Sequence, residues 1–309
     1  MKAAFYRRFG GPEVLLYGDL PEPKLAQNSV LIRVKAAALN PADLALQSGL
    51  GDSIMETWFP VVPGWDVAGI IEQVGAGVTE FAPGDEVLAY ARQDILHAGT
   101  CAELVSLPVE LPCRKPPELG WEEAAGLPLA GLTAHRGIVR TLKVGRGDRV
   151  LVLGASGGVG SVAVQLAREA GAMVMGSASL PNHDYVRSLG AHPVGHGEDL
   201  VRAVRHRAPE GVTAILDCAG HGQLEFARQV ATAHTRLCSI TSGGPGVTTA
   251  YARTDPAVLG ELVSRAAAGR LRITIAAAYP LWRAAEGQRA LNDHRHGPGK
   301  IVLVPGAGS

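Results

Sequence analysis

The stretch Arg149 to Ala170, RVLVLGASGGVGSVAVQLAREA, holds the residues with the most evident capacity for chemistry. Gly154, Gly157, Gly158 and Gly160, with Ala155, Ser156 and Val159 between them, leave a length of backbone nearly bare of side chains. Bare backbone at the start of a helix lets an anion approach the first-turn N–H groups, which have no intrahelical partner and sit at the positive end of the helix dipole. The chemistry on offer is binding of a pyrophosphate, with Gly154, Ser156, Gly157, Gly158, Val159 and Gly160 as its contacts. The spacing departs from G-x-G-x-x-G, because Ala155 stands where the first glycine belongs. An ordinary tight turn could use the same residues, so the flanking elements decide. Arg149 to Leu153 is the short apolar run of a parallel strand covered on both faces. From Val159 onward, Val162, Ala163, Leu166, Ala167 and Ala170 recur at helical spacing. Strand, glycine turn and helix together are the context that a dinucleotide fingerprint requires.

The end of the next strand, Met173 to Ser177, bears on which dinucleotide. An acid there accepts hydrogen bonds from both ribose hydroxyls of NAD and repels a 2′-phosphate. This chain has Ser177-Ala178-Ser179, and the nearest acid, Asp184, lies beyond Pro181 inside the next helix. The expectation is NADPH, with Ser177 and Ser179 as neutral donors to the 2′-phosphate and His183 or Arg187 supplying positive charge. A His183 that merely faces water at a helix start is the alternative at that position.

The elements that must position these residues fall into two patterns. Up to about Pro117 the periodicity is that of strands, at Lys2 to Tyr6, Val30 to Ala36, Val67 to Val74 and Glu86 to Tyr90, punctuated by glycine and proline. This predicts an antiparallel β domain, a distorted barrel, interrupted by one helix with Asn40 at its N-cap and Pro41 as its first residue. From Trp121 helices and strands alternate. A helical stretch from Glu122 to Leu142, broken at Pro128, precedes the glycine turn. Strands at Thr213 to Asp217 and Arg236 to Ile240 and helices at Asn182 to Leu189 and Gln223 to Ala231 follow it. The fold class is therefore α/β with β, the second part a doubly wound parallel sheet with its ligand at the carboxyl ends of the strands. After a helix at Pro256 to Ala268 comes an expected strand at Leu271 to Ala276; Leu281 to Leu291 and Lys300 to Val304 suit either part.

A chain of 309 residues exceeds one ordinary core. Basic and acidic residues number 29 each, without runs of like charge, which excludes strong attraction to nucleic acid or a membrane surface. No apolar stretch approaches the ~20 residues of a membrane span, and MKAAFYRRFGG lacks the apolar core of a signal peptide, so a cytoplasmic location is expected. The four cysteines form no CxxC pair and the ten histidines no ligand spacing, so neither a disulfide framework nor a metal site is expected.

Five further motifs stand in a particular order: Pro63-Gly64-Trp65-Asp66-Val67-Ala68-Gly69, Phe81-Ala-Pro-Gly84-Asp85-Glu-Val87, Leu129-Ala-Gly-Leu-Thr133-Ala134, the central GASGGVG, and Gly299-Lys300-Ile-Val-Leu303. With them the chain resembles, over essentially its whole length, the zinc-free medium-chain dehydrogenase/reductases of the NADPH:quinone oxidoreductase, or zeta-crystallin-like, group. The resemblance implies a GroES-like catalytic domain over residues 1–118 completed by 278–309, a Rossmann domain over 119–277, and a cofactor cleft where they meet. It also implies that Asn40 contacts the nicotinamide ribose or the substrate, that Thr133 lies beside the nicotinamide, and that Lys300 faces the cleft as a cofactor-binding residue, a merely solvated lysine being the alternative at that position. Asp43, one helical turn after Asn40, either braces that turn or joins the chemistry, and Asp66 reads as a hydrogen-bonded structural acid. Zinc-dependent relatives carry a cysteine at Asn40 and Gly-His-Glu at Gly64-Trp65-Asp66, and no Cys, His, Asp or Glu occurs from Gly126 to Ala134, so all three zinc ligands are missing. Ala45 replaces a tyrosine common in the group, leaving its proton donor unassigned.

The implied activity is hydride delivery from NADPH to a quinone or an α,β-unsaturated carbonyl. An enoyl-thioester reductase of the same family, or an NADPH-binding sensor or scaffold with little turnover, are the alternatives. Small-molecule substrate and homodimerisation are the implied partnerships, with Leu271 to Ala276 as an edge strand able to pair across a twofold axis.

Overall fold

In the computed structural model, which describes residues 1–306, the apolar strand Arg149–Leu153 is the centre of an all-parallel sheet. Its strands run in the order His192–Val194, Met173–Ser177, Arg149–Leu153, Val212–Asp217, Ala231–Ser239, Val247–Thr249. The order reverses between Arg149–Leu153 and Val212–Asp217, which makes the carboxyl end of Arg149–Leu153 the topological switch point. Val150 to Leu153 are fully buried because helices cover both faces. One cover is the helix Gly158–Glu169, whose Val162, Ala163, Leu166 and Ala167 turn inward. Another is Gly197–Arg207, a helix not singled out by the reading above, which packs Leu200, Val201 and Val204 into the core. The sixth strand, Val247–Thr249, is not among the strands that the sequence pattern predicts. Its three residues are too few to register as a period.

The helical stretch before the glycine turn resolves into Trp121–Gly126, Pro128–His135 and a π-helical turn at Arg136–Thr141. Proline breaks it where expected, since it cannot donate to the preceding turn.

The second sheet runs Ile275–Pro280, Lys300–Val304, Ser29–Ala38, Asp66–Val74, Glu86–Tyr90, Pro112–Arg114, with Leu104–Pro108 also paired to Ser29–Ala38. Lys300–Val304 aligns antiparallel to Ser29–Ala38, with Val302 opposite Ala38, and the Leu39 N–H donates to Ile301 O at 2.9 Å. That register carries Lys300 to the start of the helix Pro41–Gln47.

By compactness the chain divides into one unit of residues 1–129, 254–270 and 274 onward, and another of 130–253 and 271–273. These limits differ from 118/119 and 277/278, and residues 307–309 of the expected first domain lie outside the described residues. The helix Trp121–Gly126 joins the first unit because Ala124, Ala125 and Gly126 are small enough to pack closely on Ser29–Ala38 and Asp66–Val74. The strand expected at Leu271 to Ala276 forms instead at Ile275–Pro280 and pairs parallel with Lys300–Val304. A parallel pair needs a crossover, and the helix Ala284–Asn292 supplies it, so Leu271 to Ala276 is not the edge strand expected for dimer pairing. Among the described residues no helix is long and apolar enough to cross a membrane, and the four cysteines are free thiols.

Candidate cofactor and active sites

In the parallel-sheet unit, Gly154 follows the central strand at φ +71°, a left-handed conformation that favours glycine. The chain then turns back, with Gly157 N–H donating to Gly154 O at 3.0 Å, and enters the helix at Gly158. Gly160 lies against this turn so closely that a Cβ would stand 2.1 Å from Gly154 O. Gly157 has only Gly154 O, at 3.4 Å, beside its missing side chain. The first-turn N–H groups of Gly158, Val159 and Gly160 therefore sit at an open helix N-terminus with no side chain of their own loop in front of them. The departure at Ala155 also has a cause: a Cβ on Gly176 of the neighbouring strand would stand 2.6 Å from the Ala155 methyl, so that glycine makes the room Ala155 fills.

The expected 2′-phosphate residues divide. Ser177 is fully buried, and its Oγ accepts from Gly154 N–H at 3.1 Å. It therefore supports the turn from beneath rather than standing open to a phosphate, a correction to its expected role. Ser179 is exposed, and Asn182 Nδ2 donates at 3.3 Å to both Ser179 Oγ and Ser156 Oγ. Ser156, Ser179 and Asn182 thus form one neutral polar cluster beside the glycine turn. Asn182 was not anticipated; its place just before a helix, where Asn commonly serves the backbone, is the signal that marks it. His183 lies within hydrogen-bond distance of Ala178 O at 3.2 Å through Nε2, so that ring face is occupied by backbone. Arg187 is paired with Asp184 on the surface. Thr133, in the helix Pro128–His135, is buried.

In the β-rich unit four buried polar residues meet. Asn40 stands at the N-cap position, yet its side chain does not cap; instead Asp43 reaches back, Oδ2 accepting the Asn40 N–H at 2.8 Å. The Asn40 amide is thereby free to turn inward. Its Nδ2 donates to Asp66 Oδ2 at 3.0 Å and to Ala38 O at 3.4 Å, and its Oδ1 accepts from Lys300 Nζ. Lys300 Nζ also donates to Leu39 O at 3.0 Å and faces Asp66 Oδ2 at 3.5 Å. The other Asp66 oxygen accepts Leu129 N–H at 2.8 Å.

An ammonium has three donors, and Lys300, 6% exposed, directs them at three protein acceptors. Lys300 is therefore a positioning residue for Asn40, which corrects its expected contact with the cofactor. Both donors of the Asn40 amide are likewise engaged, and what it retains for a ligand is the second lone pair of Oδ1. Asp66, at 0% exposure, is the structural acid expected; burial pushes its carboxyl up, and the Lys300 charge and the Asn40 and Leu129 hydrogen bonds oppose that. Burial raises Asp43 to about 7 against the pull of the Asn40 N–H. Among the described residues no three His, Cys, Asp or Glu side chains converge as metal ligands.

Two family models match this chain: the alcohol dehydrogenase GroES-like domain over residues 26–110 and the zinc-binding dehydrogenase domain over residues 158–269. A chloroplastic quinone-oxidoreductase of Triphysaria versicolor is 31% identical over 99% of this chain and 98% of its own. The chain belongs to the medium-chain dehydrogenase/reductases, in their quinone oxidoreductase group. This makes it an oxidoreductase of a nicotinamide-using family, with a GroES-like and a Rossmann part. A chloroplastic NADPH-dependent alkenal/one oxidoreductase of Arabidopsis thaliana is 40% identical over 62% of this chain and 51% of its own. A solved structure named as an NAD-dependent alcohol dehydrogenase superimposes with a TM-score of 0.91 at 31% identity, covering 98% of this chain and 99% of that one.

Proposed function

We propose that this medium-chain reductase passes a hydride from NADPH to the conjugated system of a quinone or an α,β-unsaturated carbonyl without the aid of a metal. The observation that carries the reading is a dinucleotide cradle at the switch point beside a second strand that ends without a carboxylate. Ser179 and Asn182, next to Ser156, are neutral groups suited to a 2′-phosphate, whereas NADH would miss its usual acid partner. NADPH, when bound, supplies the hydride. The chain does the rest: the N–H groups of Gly158, Val159 and Gly160 take the pyrophosphate, and Asn40 Oδ1 offers its remaining lone pair to a ribose or substrate hydroxyl. Thr133 is the family's neighbour of the nicotinamide. Asn40 and Trp65 stand at two zinc-ligand positions, and Asp66, at the adjacent acid position, is committed to Lys300 and Leu129, so no donor set for a Lewis-acid metal remains. Charge developing on the acceptor oxygen must then be met by a proton.

Quinone and enone acceptors are favoured by the names of the relatives. The test is to titrate the protein with NADPH and NADH by cofactor fluorescence and then to follow cofactor oxidation with a small quinone, an alkyl enone and a 2-enoyl thioester. NADPH is expected to bind at least tenfold more tightly and to be oxidised by quinone or enone. Equal affinities would overturn the NADPH assignment. Turnover with the thioester alone, or binding without turnover, would replace the proposed activity.

We also propose a homodimer, formed through Val247–Thr249 as the terminal strand of the parallel sheet. Sedimentation at micromolar concentration should give twice the mass of the 32.2 kDa chain; a monomer would remove this proposal.

A further inference from the structure

Asp217, the last residue of the strand Val212–Asp217, is 1% exposed, and four neutral groups donate to it. Its Oδ1 accepts the Ala219 and Gly220 N–H groups, each at 3.0 Å, and its Oδ2 accepts the Ser239 and Thr241 hydroxyls at 3.0 and 3.1 Å. Ser239 Oγ in turn accepts the N–H groups of Thr241 at 3.1 Å and Ser242 at 3.2 Å. Both of its lone pairs are then spent, so its one proton goes to Asp217. A carboxylate, with acceptor sites for about four donors and no donor of its own, is what this arrangement requires. The amide of an asparagine would face a donor with a donor and break part of it.

These bonds tie together two loops at the carboxyl ends of adjacent strands, residues 218–222 after Val212–Asp217 and residues 240–242 after Ala231–Ser239. A Cβ on Gly220 would stand 3.3 Å from Thr241 Oγ1, and one on Gly154 would stand 3.2 Å from Cys218 O. The glycine turn and both loops are therefore packed in one row across three neighbouring strands. Gly220, His221 and Gly222 follow one another at φ +66°, +50° and +73°. A left-handed run that includes a residue with a side chain is strained, and such strain persists only where the surroundings over-determine it. Thr241 and Ser242 are nevertheless exposed, so the row is fixed from beneath and open above. A dinucleotide at a switch point lies across it, one half on each side. Ser179 and Asn182 follow Met173–Ser177 on one side; the loops held by Asp217 lie on the other.

We propose that Asp217 is the positioning residue for the nicotinamide half of the NADPH site, holding residues 218–222 and 241–242 in the shape that this half requires. This rests on the cofactor reading above. Asp217 itself touches no ligand, since all that it accepts comes from the protein.

The experiment compares two ligands, NADPH and adenosine 2′,5′-bisphosphate, which carries the 2′-phosphate half and no nicotinamide. Asp217→Asn should weaken NADPH ~10-fold or more, for the loss of a hydrogen bond to a charged group, and leave the bisphosphate within about twofold of the parent by calorimetry. The emission of NADPH at saturation should move toward that of the free cofactor, because its ring is held less firmly. Thr241→Val removes one exposed hydroxyl donor and should act in the same direction by ~3- to 10-fold; thermal melts check both variants, and Thr241→Val decides if Asp217→Asn does not fold. A folded variant that loses both ligands equally has lost the whole cradle, which overturns the assignment to one half. A folded variant that binds both ligands as the parent does overturns the positioning role and leaves the cofactor reading intact. A parent that binds NADPH but not the bisphosphate overturns the division into halves. A parent that binds neither removes the cofactor reading and this inference with it.

Discussion

Gly160→Ala should cost this enzyme its cofactor site. The new Cβ would lie 2.1 Å from Gly154 O, 2.8 Å from Gly154 C and 2.9 Å from Ala155 Cα. All three are backbone atoms of the turn itself, so no side-chain rotation relieves the clash and the loop must move away from the helix N-terminus. Overpacking of this kind costs roughly 1–3 kcal/mol, and the displaced turn no longer presents its N–H groups together. NADPH affinity should fall by about 100-fold, equivalent to roughly 2.8 kcal/mol, with a lower melting temperature. Gly157→Ala separates the two effects. Its φ is −77° and its only close neighbour is at 3.4 Å, so the fold should persist while the added methyl crowds the pyrophosphate. Fluorescence titration together with thermal melts makes the comparison. A Gly160→Ala protein that bound NADPH within threefold of the parent would mean that the turn is not the cradle.

Lys300→Met should be the most destabilising single change in the buried polar site. It leaves Asp66, fully buried, without its cation, and removal of one partner from such a pair costs about 3–5 kcal/mol. The loss has a pH signature. Burial already raises the Asp66 carboxyl, and loss of the Lys300 charge raises it further. A carboxyl whose pKa is higher in the folded than in the unfolded state contributes stability at low pH and loses it as pH rises through the folded value. The variant should therefore be closest to the parent near pH 5 and furthest from it near pH 8. Adding Asp66→Asn removes the stranded charge and should recover much of the stability at pH 8. Urea unfolding at both pH values tests this, and a variant within 1 kcal/mol of the parent at pH 8 would contradict the role given to the pair.

The two changes probe parts of the molecule that differ in how legible they were. The glycine turn is local: strand, bare backbone and helix lie within Arg149 to Glu169, and helix geometry alone dictates where the free N–H groups point. The alternation of strands and helices after it likewise reports a parallel sheet, since each buried strand leaves an apolar run and each covering helix an amphipathic one. The short strand Val247–Thr249 and the displacement of the expected Leu271–Ala276 strand to Ile275–Pro280 escaped this reading. Their pairing depends on which edge is available, and no local period encodes that.

By itself, then, the sequence determined the family, the two-part architecture, the strand–glycine turn–helix unit and the missing zinc-ligand residue types, because each is written in neighbouring residues or in motifs of fixed spacing. Tertiary structure alone decided what the polar residues do with their hydrogen bonds. Ser177 lies beneath Gly154, 23 positions away, and Lys300 reaches Asn40 across 260 positions through the pairing of Lys300–Val304 with Ser29–Ala38. A donor or acceptor has a fixed capacity, and only the folded chain shows which groups have spent it on each other and which still have a bond to offer a ligand.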